Sequence, residues 1–122
     1  MIKFKPYFED KMWGGDYMKN FYGYDCSNSC GEAWGISALS GMSSTVTNGI
    51  YQGKTLRELY EEKPDLFGYL KGDFPILVKV IEAKSDLSIQ VHPNDIYAKQ
   101  HNNTSGKNEC WYILDCDEDT EI

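Results

Sequence analysis

The segment Leu87-Ser-Ile-Gln-Val-His92 carries side chains whose types and spacing could hold an ion. In an extended backbone Ser88, Gln90 and His92 share one face while Leu87, Ile89 and Val91 take the other. Positions two apart are separated by about 6.6 Å, so an amide and an imidazole can both bend onto one cation at about 2.0–2.2 Å. Further along, Lys107-Asn-Glu-Cys-Trp111 places Lys107, Glu109 and Trp111 on one face by the same parity. If that stretch pairs antiparallel with residues 87–92, Glu109 meets Gln90 and His92. Their oxygen and nitrogen donors suit a borderline divalent ion such as zinc, with positions left open for water or a substrate hydroxyl. The bland alternatives are a strand-end histidine before Pro93 and a solvated edge carboxylate.

Lys79 is the second anomaly, because it interrupts the apolar run Ile76-Leu-Val-Lys-Val-Ile81. A cation in a buried strand is costly unless it is paired or solvated. One reading is an edge lysine that extends its head to water. The other is a catalytic or anion-binding lysine facing the same cavity as Lys107, its ammonium available to a phosphate or a developing oxyanion.

The elements expected to position these residues are mostly strands. Glu32-Ala-Trp-Gly-Ile-Ser-Ala-Leu39 puts Glu32, Trp34, Ile36 and Ala38 on one strand face. Residues 43–47 and 50–52 flank Asn48-Gly49, a strong hairpin signal, and Trp13-Gly-Gly15 reads as a turn. Residues 75–82, 86–92 and 109–116 read as further strands. A helix is expected after Thr55, whose capping box with Glu58 precedes Leu56, Leu59 and Tyr60 on one face, with Pro64 as the stop. A short turn follows at residues 64–70, and a short helix is expected around residues 95–100. His101 reads as a solvated loop residue. Asp117-Glu-Asp119 is an acidic turn, and residues 120–122 look like the opening of one more strand, so the sequence is expected to be the front part of a longer protein. Together these elements describe a mainly β, antiparallel single domain over residues 1–122 with short helical insertions.

Composition narrows the chemistry. Nineteen acidic against 12 basic residues give a net charge of −7, and Arg57 is the single arginine, which argues against a phosphate-tracking nucleic-acid surface. No export signal precedes Glu9, and no apolar run approaches the roughly 20 residues of a membrane span, so a cytoplasmic, soluble protein is expected. Cys26, Cys30, Cys110 and Cys116 are read as free thiols, given the chain's size and the lack of an export signal, and Cys26-x3-Cys30 lacks the usual spacing of zinc or redox motifs. Nucleotide-loop, hydrolase-elbow and zincin motifs are absent from the sequence.

Gly31-Glu-Ala-Trp34, Phe74-Pro-Ile-Leu-Val-Lys79, Leu87-Ser-Ile-Gln-Val-His-Pro93, Tyr97-Ala98 and Gly106-Lys-Asn-Glu-Cys-Trp-Tyr112 resemble, in that order, the type I phosphomannose isomerase family. The resemblance implies a cupin-type antiparallel β-barrel, incomplete in this chain, and the interconversion of mannose 6-phosphate and fructose 6-phosphate. It implies that Gln90, His92 and Glu109 are three of four protein ligands to a catalytic zinc. It also implies that Lys79 and Lys107 act in catalysis and Ser88 in recognition, while Glu32 and Trp34 lie near the cavity as substrate-binding residues. The family's fourth ligand, a histidine, and its active-site arginine lie later in its chain and have no counterpart here. The expected partner is a small sugar phosphate. The alternative is a non-catalytic cupin module that binds a sugar phosphate, or a chain that self-associates through an exposed sheet edge.

Overall fold

The computed structural model describes residues 1–101 and 105–121. Two compact units divide the chain, Met1–Leu87 and Ser88–Ile122.

In the first unit, β1 (Phe4–Lys5), β2 (Tyr7–Gly15), α1 (Tyr17–Asn20), β3 (Cys30–Ile36), β4 (Ala38–Leu39), β5 (Met42–Ser43), β6 (Thr45–Val46), α2 (Leu56–Glu62) and β7 (Val78–Ile81) follow in order. β3 is the middle strand of an antiparallel sheet ordered β2-β3-β7, while β1-β6 and β4-β5 form two small antiparallel pairs. All pairings are antiparallel, and the protein is mainly β with short helices. The strands of the described residues form three separate sheets and no closed barrel.

β3 is central because both of its faces are covered. On one side Ala33 and Cys30 join Met18 in a fully buried cluster against which Phe8, Tyr24, Cys26 and Val80 pack. On the other, Trp34 lies opposite Tyr7 on β2 and Lys79 on β7, so one cross-strand row carries an aromatic pair and a cation. Met18 reaches the core because the Glu82 carboxylate accepts from the backbone N–H groups of Tyr17 and Met18, both at 2.8 Å, holding the first turn of α1. Gly15 leaves that carboxylate its place, since a Cβ there would overlap Glu82 Oε1.

The capping box expected of Thr55 and Glu58 is present in full, with Thr55 N–H donating to Glu58 Oε2 at 2.8 Å and Glu58 N–H to Thr55 Oγ1 at 3.2 Å. It starts α2, which buries Leu56 and Leu59 before Pro64 opens a 3-10 turn at Pro64–Phe67.

Several local expectations give way to tertiary demands. Asn48-Gly49 makes no hairpin: Asn48 Oδ1 accepts from Lys3 N–H at 2.7 Å, and the chain enters a 3-10 turn at Gly49–Tyr51. The adjacent strand β6 pairs with β1, and the hairpin falls instead on β4 and β5. Trp13-Gly-Gly15 is the end of β2 rather than a turn. Glycine is needed there for close approach, because a Cβ on Gly14 would stand 2.6 Å from the Gly31 nitrogen.

The second unit has one regular element among its described residues, α3 (Asp95–His101). The strands expected over residues 86–92 and 109–116 are not formed, and neither is their antiparallel pairing. Alternation alone cannot satisfy a strand's backbone groups without a neighbouring ladder. The apolar positions of these stretches are exposed, Ile89 at 101% and Val91 at 93%. His101, expected in a loop, ends α3, and the loop residues 102–103 that follow lie outside the described residues. Asp117 does begin a turn, its carbonyl accepting from Thr120 N–H at 3.2 Å. No strand opens at residues 120–121, and Ile122 lies outside the described residues.

Candidate active site

In the second unit, three hydrogen bonds bring the motif residues together. Asn94 Oδ1 accepts from Tyr97 N–H at 2.9 Å, the N-cap pattern that starts α3 just after Pro93. The returning chain then lies against this start: Gly106 N–H donates to Asp95 Oδ1 at 2.8 Å and Lys107 N–H to Pro93 O at 3.2 Å. Only glycine fits at the crossing, where a Cβ on Gly106 would meet the Asn94 carbonyl carbon and the Asp95 nitrogen at 2.6 Å. Lys107 and Glu109 are thereby delivered beside His92.

The result is a three-membered polar group. His92 Nε2 stands 2.7 Å from Glu109 Oε2, and Lys107 Nζ donates to the same oxygen at 2.8 Å. Hydrogen bonding from Lys107 is the main reason that the Glu109 carboxyl is held below the usual range, with Trp111 and His92 adding to it and burial opposing. Gln90, two residues before His92, donates its amide to Ser88 Oγ at 2.8 Å, so the polar face expected of Ser88, Gln90 and His92 is divided between two contacts. Among the described residues no three His, Cys, Asp or Glu side chains group as a metal site; the expected set takes its third donor from the amide of Gln90.

This donor set suits a divalent ion in type and partly in spacing. Two ligands on one tetrahedral ion at about 2.0–2.1 Å stand about 3.3 Å apart. The His92–Glu109 pair at 2.7 Å therefore needs to open by only a fraction of an ångström to share a cation. All four thiols are free, as expected, and Cys30 is a poor alternative ligand because burial pushes its thiol up to about 12.

In the first unit, Glu32, Trp34 and Lys79 form a second polar group. Glu32 is 9% exposed, and its Oε2 accepts from Trp34 Nε1 at 2.7 Å and from Lys79 Nζ at 3.1 Å. Lys79 Nζ also sits 4.3 Å from the centre of the Trp34 ring. Lys79 is thus neither a free edge lysine nor an unpaired buried cation. Burial pushes the Glu32 carboxyl up, but the hydrogen bonds from Trp34 and Lys79 and the charges of Lys79 and Lys11 outweigh it and hold the group below the usual range.

Two contributors to this group escape a reading by motif. Lys11 Nζ bonds Glu9 Oε2 at 2.9 Å and lies 4.0 Å from Glu32 Oε2, easing the repulsion between Glu9 and Glu32, which face each other across β2 and β3. Glu9 and Lys11 alternate on one strand face, a parity visible in the sequence once residues 7–15 are read as a strand.

Known proteins similar to this chain share one named activity. Mannose-6-phosphate isomerase ManA of Bacillus subtilis is 51% identical over 122 residues, 98% of this chain and 38% of that protein. Mannose-6-phosphate isomerase of Streptococcus mutans is 46% identical over 114 residues, 92% of this chain and 36% of that protein. A crystal structure of the mannose 6-phosphate isomerase from Bacillus subtilis superposes with a TM-score of 0.90 at 49% identity, covering 96% of this chain and 38% of that one. The chain thus spans well under half the length of these relatives. Residues 1–118 match the model of the phosphomannose isomerase type I catalytic domain, and the chain belongs to that family.

Proposed function

We propose that this chain supplies the N-terminal part of a cytoplasmic mannose-6-phosphate isomerase that interconverts mannose 6-phosphate and fructose 6-phosphate. The observation that carries the reading is the convergence of His92 and Lys107 on one oxygen of Glu109, at 2.7 and 2.8 Å. In this reading the protein is a cupin-type barrel over a single catalytic domain, to which residues 1–122 contribute the first strands. In the same reading the extended stretches of the second unit take ladder partners from a later segment of the same protein, corresponding to the part of the longer relatives that these residues do not match.

Gln90, His92 and Glu109 would hold a zinc ion, with a fourth ligand outside these residues. When bound, the ion polarises the carbonyl and hydroxyl oxygens of the sugar. The isomerisation moves one proton between C2 and C1 and another between the two oxygens, so the chain's own groups must hold charge and transfer protons without net consumption. Lys107 supplies an ammonium at the Glu109 carboxylate, and Lys79 a second cation for the phosphate or the oxyanion. Ser88 and Trp34 contribute to sugar recognition. Two positive groups also offset the repulsion of a dianionic substrate by a chain of net charge −7.

The test is isomerase turnover of mannose 6-phosphate together with metal content. Both are measured on the 122-residue chain and, where the reading frame runs on, on the longer product. Turnover with about one divalent ion per chain, both lost in Glu109→Ala, is expected of the longer product. An unchanged metal content in Glu109→Ala removes Glu109 from the ligand set. Metal binding without turnover in either product assigns the chain to a non-catalytic binding module.

A further inference from the structure

The Glu32 carboxylate has a geometry unlike that of a group waiting for a sugar hydroxyl. Its Oε2 already accepts the Trp34 indole N–H at 2.7 Å and the Lys79 ammonium at 3.1 Å. Its side chain is 12% exposed, against 22% for that of Lys79. The two donors come from neighbouring strands in a fixed register, Trp34 lying directly opposite Lys79. The indole therefore acts twice: its N–H orients the carboxylate, and its ring face supports the cation 4.3 Å away. From the other side Lys11 neutralises Glu9 and approaches Glu32 to 4.0 Å, so two carboxylates and two ammoniums balance on one sheet face. A lysine has four rotatable side-chain bonds, and this cradle removes most of that freedom before any substrate arrives.

We propose that Glu32 is a positioning residue that holds the Lys79 ammonium over the Trp34 ring, aimed for its work on the sugar phosphate, and that it does not itself touch the substrate. The proposal rests on the reading that Lys79 acts on that substrate. A displacement of about 1 Å in a working group can cost about 100-fold in rate, so the link should be visible in kinetics.

The experiment is a double-mutant cycle in the active protein with Glu32→Gln, Lys79→Met and the pair combined, kcat and KM being resolved separately. Glu32→Gln is expected to lower kcat/KM by about 100-fold. The double variant should be no slower than Lys79→Met alone, and Glu32→Asp should recover part of the loss. Losses that multiply mean that Glu32 acts on the substrate directly, and overturn the proposal. An impaired Lys79→Met beside an unaffected Glu32→Gln overturns the positioning role alone. An unaffected Lys79→Met overturns both this proposal and the role given to Lys79 above.

A readout independent of turnover is the 1H–15N signal of the Lys79 ammonium in lysine-labelled protein. It should be slowly exchanging in the parent and lost in Glu32→Gln while the Trp34 indole signal persists. An ammonium signal kept in Glu32→Gln overturns the link. Failure of both Glu32→Gln and Glu32→Asp to fold assigns the carboxylate to stability and equally overturns it.

Discussion

Met1–Leu87 and Ser88–Ile122 keep their functional side chains in place by different means. In the first, Glu32, Trp34 and Lys79 stand on adjacent strands of a sheet whose middle strand is buried on both faces, so position follows from register. In the second, His92, Lys107 and Glu109 meet on segments that belong to no sheet, held by the cap of Asn94, the Asp95 side chain and the close passage of Gly106. Buried ladders place a side chain through many cooperative contacts. A few backbone attachments at exposed positions do so through single points, each of which can be removed alone.

This contrast can be broken in several ways. The largest expected effect is in the first unit's core, where Leu59 is fully buried: Leu59→Ala should cost about 2–5 kcal/mol in denaturant unfolding. Val91→Ala in the second unit, at a position 93% exposed, should stay within about 0.5 kcal/mol. Equal costs would show that the two units do not differ in packing.

Gly106→Ala comes next. The added methyl group must displace backbone now 2.6 Å from it, at about 1–3 kcal/mol, and should part Glu109 from His92. The His92 ring nitrogen resonances, compared with those of Glu109→Gln, report the separation; an undisturbed His92 would mean that the crossing does not position the site. Thr55→Ala, which removes a complete capping box, should cost about 1 kcal/mol, and a cost near zero would locate the stability of α2 in Leu56 and Leu59 alone.

The smallest effect is electrostatic and sharpens the comparison most. Glu32 and Glu109 are both held below the ordinary carboxyl value of 4.5. Each therefore adds stability that is present above that value and lost as pH falls through its lower folded value. At about 1 M salt, where screening acts within about 3 Å, the more exposed Glu109 should move back toward its ordinary value while Glu32 stays depressed. Carboxyl 13C titrations at two salt concentrations measure this, and equal responses would undo the distinction.

The parts of the fold that local chemistry controls were legible in advance. The Thr55 and Glu58 capping box, the Pro64 stop and the helix at Asp95–His101 all appear where residue order places them, because their contacts lie within a few positions along the chain. Asn48-Gly49 misled for the opposite reason: a side chain able to make a turn was taken by a partner 45 residues away, Lys3. The alternation of residues 86–92 and 109–116 was legible as pattern, yet no strand followed, since a ladder needs a second chain segment that pattern alone does not provide.

The same division runs through the two polar groups. By itself the sequence determined the residue types: an amide, an imidazole and a carboxylate in motifs specific enough to mark the family, and a lysine out of place in an apolar run. Tertiary structure decided the partnerships. It set His92 and Lys107 on one oxygen of Glu109, gave Gln90 to Ser88, and gave Lys79 to Glu32 across a strand boundary. Residue order states which donors and acceptors exist, whereas register and close backbone approach determine which of them come within about 3 Å of each other.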